Sequence, residues 1–321
     1  MPEPSRTPKR RGRLLRFGAA FVVMLAVAGY LAVQYLNGSA APRCQVVSAK
    51  GDGASYEFTP EQAVNAATIA AVGTTRGMPE RAVTIALATA LQESNLTNME
   101  HGDRDSLGLF QQRPSQGWGT QSQIMDPTYS AGEFYKHLAE VPGYTRMPLT
   151  EAAQRVQLSG YPEAYAKHEP DATMLSDALT GRAAATLTCQ GRPAATPSGG
   201  ADAVRAALVR DFGRDVLQTA GAEAGAKVSS PSPTSSAAPA TTASEAVTVP
   251  IPRKSSASGT VAQRGWELAH WAVANSSALH IARVSYAGRE WSRGGYADEW
   301  RTDGGSDAKG SSAQVRIVTG E

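Results

Sequence analysis

Residues 79–94, which run PERAVTIALATALQES, constrain more than any other segment what this chain can fold into. Val83, Ala86, Leu87, Ala90 and Leu91 recur at helical spacing, and Ile85 and Ala88 fill the opposite side. A helix that is apolar nearly all round has no solvent face, so other elements must bury it. The neighbouring sequence supplies them. Thr59, Pro60, Glu61 and Gln62 form an N-cap, a proline at the first helical position and a capping-box glutamine, predicting a helix that Gly73 and Gly77 end. Asp126 and Pro127 open another that buries Phe134, Tyr135 and Leu138, and Thr150 and Asp171 read as caps of two more. Residues 58–181 therefore predict a mainly α domain. It is interrupted at 95–120 by a polar, glycine-rich segment with a short strand pair around 107–112.

The two ends of the 321-residue chain read differently. Arg6, Lys9, Arg10, Arg11, Arg13 and Arg16 precede an uncharged apolar run over 17–36. That pattern predicts a basic cytoplasmic tail (1–16) and one transmembrane helix (17–36), since spanning a hydrocarbon core takes about 20 residues. The expected location is then the cell membrane, single-pass, with the N-terminus cytoplasmic and everything beyond it outside. A cleavable signal peptide is the rival, with small residues at Gly38, Ser39, Ala40 and Ala41. The only two cysteines, Cys44 and Cys189, fall on the exported side, where a disulfide persists; they either bridge the ends of a domain over 44–190 or stand as separate thiols. Residues 191–259 read as a linker, dominated by Ser, Thr, Ala and Pro from about 222, with one amphipathic helix over 201–219 carried by Val204, Leu208, Phe212 and Val216. Residues 260–321 predict a small α+β module: a helix bearing Trp266, Leu268, Trp271 and Val273, an alternating strand through Ala282, Val284 and Tyr286, and a last strand over 314–318.

The net charge of +2, with basic residues gathered at the N-terminus, excludes a phosphate-tracking stripe, so nucleic acid is not an expected partner. Five histidines and two cysteines without ligand spacing imply no metal site, and no cofactor is expected. The chemistry is concentrated where the buried helix ends. Leu91, Gln92, Glu93, Ser94, Asn95 and Leu96 close it, and a short turn later comes Asp105, Ser106, Leu107, Gly108, Leu109, Phe110, Gln111 and Gln112. At a helix C-terminus the dipole disfavours a second negative charge. A carboxyl group that keeps its proton there can donate it to a glycosidic oxygen.

Glu-Ser at a helix end followed by a Ser-x-Gly-Leu-x-Gln strand resembles lytic transglycosylases and goose-type lysozymes of the lysozyme-like superfamily, with Phe110 where those often have Met. The likeness covers roughly 58–181. It implies a lysozyme-like fold and a peptidoglycan-cleaving activity on MurNAc-GlcNAc linkages, with glycan strands as substrate and Glu93 as catalytic acid. In a transglycosylase cycle one carboxylate suffices, because it then acts as base on the sugar's own 6-hydroxyl and a 1,6-anhydro product closes. Two-carboxylate hydrolysis is the competing mechanism, with Asp103 and Asp105 available, though their turn-rich setting favours a role in the turn. The resemblance places Ser106, Gly108, Phe110 and Gln111 along the cleft, while Trp118 either stacks on a sugar or packs. The family's late Tyr-Asn-Ala turn is missing; Tyr161 stands in for its tyrosine and Gln157 for its polar partner. Two other classes compete: a non-catalytic glycan-binding module that keeps the cleft, and, more remotely, a transporter-associated membrane protein.

Overall fold

The computed structural model describes residues 9–36, 42–158, 162–191, 193–196, 199–218, 246–251, 259–294, 299–302 and 311–320. The chain divides into two units, Met1–Ala41 and Pro42–Glu321. The first holds one helix, α1 (Lys9–Leu36). The expected transmembrane helix over 17–36 is corrected here: among the described residues no helix is long and apolar enough to cross a membrane. Gly18 and Gly29, which carry no apolar side chain, interrupt the apolar run of α1.

The second unit begins with β1 (Arg43–Val47) and β2 (Ser55–Phe58), which form a three-stranded antiparallel sheet with β3 (Leu187–Gln190) in the order β2-β1-β3. Cys44 and Cys189 are register partners on β1 and β3 and are joined by a disulfide, with Cα atoms 3.9 Å apart. Next comes α2 (Pro60–Thr75), whose capping box is complete: Thr59 Oγ1 accepts from the Gln62 amide at 3.2 Å, and Gln62 Oε1 accepts from the Thr59 amide at 2.7 Å. The apolar helix is α3 (Glu80–Ser94), buried from Ala82 to Leu91. α2, α5 (Pro127–Ala139), α6 (Leu149–Gln157) and α7 (Glu169–Leu179) pack around it, with short α4 (Gln121–Ile124) beside α5. The N-caps of α6 and α7 are Pro148 and His168, so both helices start before the caps expected at Thr150 and Asp171.

The C-terminal part extends the same core. α8 (Gly200–Phe212) packs on α2, and α9 (Val261–Ala274) packs on α2, α7 and β3. On its other side α9 meets a five-stranded antiparallel sheet of β4 (Ala246–Pro250), β5 (Ile281–Tyr286), β6 (Arg289–Ser292), β7 (Arg301–Thr302) and β8 (Gln314–Thr319), ordered β4-β8-β5-β6-β7. The Trp271 indole donates to buried Asp211 at 2.7 Å, Trp300 donates to the Leu187 carbonyl at 2.9 Å, and His270 lies against the Ala178 carbonyl at 2.7 Å. Two further expectations about fold class are corrected. Nine α-helices are accompanied by eight strands in two sheets among the described residues. The span read as linker contains β4, where Val247 and Val249 alternate inward between exposed Ala246 and Thr248. The Ser/Thr/Ala/Pro composition around it hides that alternation; residues 219–245 and 252–258 lie outside the described residues.

Candidate functional site

α3 ends abruptly because Asn95 and Leu96 both adopt left-handed backbone, at φ 53° and 57°. Their amides close the helix on the Leu91 and Ala90 carbonyls at 3.1 Å each, which satisfies acceptors that the last turn would otherwise leave open. Side-chain amides of α2 fix the turn from the other side: Gln62 donates to the Asn95 carbonyl and Asn65 to the Leu96 carbonyl, each at 2.8 Å. Glu93 therefore stands on a rigid last turn, half-buried.

Its neighbour ties that turn to the Gly-Leu-Phe-Gln segment. The buried Ser94 hydroxyl donates to the Leu109 carbonyl at 2.7 Å. The segment is a tight hairpin closed by paired Leu107 and Gln112 backbones, and Gly108 pairs with Met99. The helix end, the 97–106 loop and the hairpin thus form one hydrogen-bonded body at the end of α3. Tyr165 completes it. The 3-10 segment Pro162–His168 lays the fully buried Tyr165 across the end of α3, and its hydroxyl donates to Glu93 Oε1 at 2.6 Å. Glu93 Oε2 accepts no hydrogen bond among the described residues. One turn on, His168 Nε2 meets Gln92 Oε1 at 3.1 Å, so the same segment grips two consecutive side chains of α3. Burial, reinforced by Lys167, holds the His168 imidazole below its ordinary range.

The residues expected along the cleft separate into distinct roles. Phe110 is fully buried and stacks on Phe134 with ring centroids 4.7 Å apart, so it belongs to the core rather than a sugar-contacting surface. Gly108 has φ 74°, and a Cβ there would lie 2.8 Å from the Ile124 carbonyl; the close approach that requires glycine is by the protein's own backbone. Ser106 is buried, with its amide donating to the Asp103 carbonyl at 3.1 Å. Gln111 is half-buried, has left-handed backbone, and folds its amide onto the Gly108 carbonyl at 3.2 Å. Gln112 turns inward to the Ser130 carbonyl at 3.0 Å. Gln157 donates to the Phe110 carbonyl at 2.7 Å, bracing the hairpin from α6. Trp118 is half-buried with its ring centroid 4.3 Å from that of His137. Tyr161 lies outside the described residues.

Asp105 accepts from Arg113 Nε at 2.7 Å and from the Ser115 amide at 2.9 Å. Hydrogen bonds from Ser115 and then Arg113 hold its carboxyl well below the usual carboxylate range. Both of its oxygens are thereby engaged in holding the 105–115 loop. Among the described residues no group of histidine, cysteine and carboxylate side chains could hold a metal ion.

The contribution of Tyr165 is the feature that sequence reasoning missed. No local pattern in 162–168 announces it, because the contact joins positions 72 residues apart in sequence. No protein-family model matches the chain, and no curated protein does.

Proposed function

We propose that this chain cleaves the MurNAc-GlcNAc linkage of peptidoglycan outside the cytoplasm, as a lytic transglycosylase or muramidase, with Glu93 as its acid. The observation that carries the reading is the half-buried Glu93, clasped through Oε1 by the Tyr165 hydroxyl and set beside the Leu107–Gln112 hairpin. A carboxyl group so fixed keeps a second oxygen, Oε2, that accepts from no described residue and can meet a substrate oxygen. In the proposed cycle Glu93 gives its proton to the glycosidic oxygen as the C1–O bond breaks. The resulting carboxylate accepts the proton of the 6-hydroxyl as O6 bonds to C1. Asp105, committed to Arg113 and Ser115, is poorly placed to serve as a second catalytic carboxylate, which favours the one-carboxylate route. The exterior location is supported by the Cys44–Cys189 disulfide, a bond suited to an oxidising compartment.

The test is turbidity clearing of purified cell walls by wild type and Glu93→Gln, with co-sedimentation measured alongside. Wild type should clear the suspension and the variant should be slower by about 100-fold or more, the usual weight of a general acid. Equal clearing by both would refute the assignment. Sedimentation of both without clearing would make a non-catalytic glycan-binding module the better account.

A further inference from the structure

From Ala82 to Ser94 every residue of α3 is buried except two, Gln92 and Glu93. Its neighbours seal the helix along its length, and it opens to solvent only where Glu93 stands. A glutamine in that opening fills no core, and its amide brings two N–H donors and one acceptor oxygen.

The acceptor is spent. His168 Nε2 lies 3.1 Å from Gln92 Oε1. That oxygen can only accept, so the shared hydrogen sits on His168 Nε2. Burial, with Lys167 second, disfavours the charged imidazole, which leaves the ring a single N–H to give, and Gln92 takes it. The direction of the amide follows: with Oε1 turned to His168, the NH2 group turns away, and Nε2 donates to no described residue.

The segment that orients Gln92 is the one that orients Glu93. Residues three apart on a 3-10 turn lie one above the other, so Tyr165 and His168 share a face of Pro162–His168. That face holds both side chains of the opening, Tyr165 on Glu93 Oε1 at 2.6 Å and His168 on Gln92 Oε1 at 3.1 Å. Each contact occupies one oxygen and leaves the other end of its group uncommitted. A carboxyl oxygen and an amide donor are thus presented by adjacent residues, about 3.8 Å apart along the backbone.

We infer that Gln92 binds the glycan strand beside Glu93, its NH2 group donating to an acceptor oxygen of a sugar at the scissile linkage, and that His168 is its positioning residue. The inference rests on the proposed reading of Glu93 and deepens it: Glu93 acts on the bond, and Gln92 holds the strand to which the bond belongs.

Steady-state clearing of purified cell walls by the full chain tests this. Gln92→Met keeps the length of the side chain and removes its donors. KM should rise by roughly 5-fold, the weight of one neutral hydrogen bond, while kcat holds, as for a contact made equally to bound substrate and transition state. Gln92→Asn, which draws the amide back by one methylene, should do the same. His168→Leu should also raise KM, and His168→Gln, whose amide can again donate to Gln92 Oε1, should restore it; His168 gives α7 no side-chain cap, so neither change removes one. The comparison is repeated in a Glu93→Gln background by co-sedimentation with walls, which needs no turnover, and adding Gln92→Met there should weaken binding by the same factor. Walls that are bound but never cleared would sink the acid assignment while the binding comparison still decides the role of Gln92. Unchanged KM and wall affinity in both Gln92 variants, a fall in kcat at constant KM, or no binding of walls by wild type overturns the inference.

Discussion

At the scale of single residues, the candidate site depends on where a few polar atoms are spent. Tyr165 is the sharpest case, because it is wholly buried yet places its hydroxyl on Glu93. Tyr165→Phe keeps the ring and removes that donor. We expect wall clearing to fall by roughly 10-fold, the weight of one hydrogen bond to a carboxyl group, while the melting temperature moves only a few degrees; unchanged clearing would show that Tyr165 does not position Glu93. His270 carries a different prediction. It is fully buried between the Ala178 carbonyl and the Thr186 amide, and burial pushes its imidazole down to about 4, the Ala178 hydrogen bond opposing only in part. The unfolded chain binds that proton near pH 6.5, so between these values the unfolded state holds more protons than the folded one. Stability should therefore decline as pH falls from about 6.5 to about 4 and level off below, by a total on the order of 3 kcal/mol. Chemical denaturation across that range checks it, with His270→Gln expected to flatten this part of the profile. The helix end that carries Glu93 was legible in the sequence, because an apolar helix, a serine and a Gly-Leu motif sit within one short span. Phe110 and Gly108 meet the protein's own core and backbone; a motif records that a position is constrained without saying whether substrate or the fold constrains it.

At the scale of elements, capping chemistry was read correctly at Thr59 and Asp126, whose side chains cap α2 and α5, while the equally complete capping boxes at Thr120 and Thr260 were not read. It was misplaced where the helix begins at a proline, as at α6, or in the αR backbone of His168, as at α7, because neither Pro148 nor His168 supplies a side-chain cap to recognise. The strands were the least legible. β1, β2 and β3 are four or five residues long and come together across the whole first half of the unit, a pairing that no local pattern announces. The disulfide fixes that sheet. It closes a sequence separation of 145 residues, and on loop-entropy grounds its removal costs up to about 4–5 kcal/mol. Cys44→Ser should lower the denaturant midpoint correspondingly, and reductant should do the same to wild type but not to the variant. A midpoint indifferent to both would mean that β1 and β3 hold together without the bond.

At the scale of the whole molecule, residues 260–321 read from sequence as a separate accessory module, and the fold gives them a second task. α9 lies between the five-stranded sheet and the α2, α7 and β3 surface, with Trp271 and His270 reaching from it to α8 and α7. A chain ended after Pro197 would strip those faces of their cover. We expect it to lose cooperative unfolding, a deficit comparable to the roughly 5–15 kcal/mol total stability of a domain; a truncated form that melts like the full chain would contradict this. Packing of this kind is invisible in sequence because the apolar stripe of α9 says that it is buried, not against what. The whole assembly holds one carboxyl group at the end of a buried helix, and the mass of what it releases tests that most directly. Soluble muropeptides from walls treated with the full chain should carry 1,6-anhydro ends, lighter by one water than reducing ends, and should be absent from the Glu93→Gln digest. Fragments released in equal amount by wild type and Glu93→Gln would contradict the account.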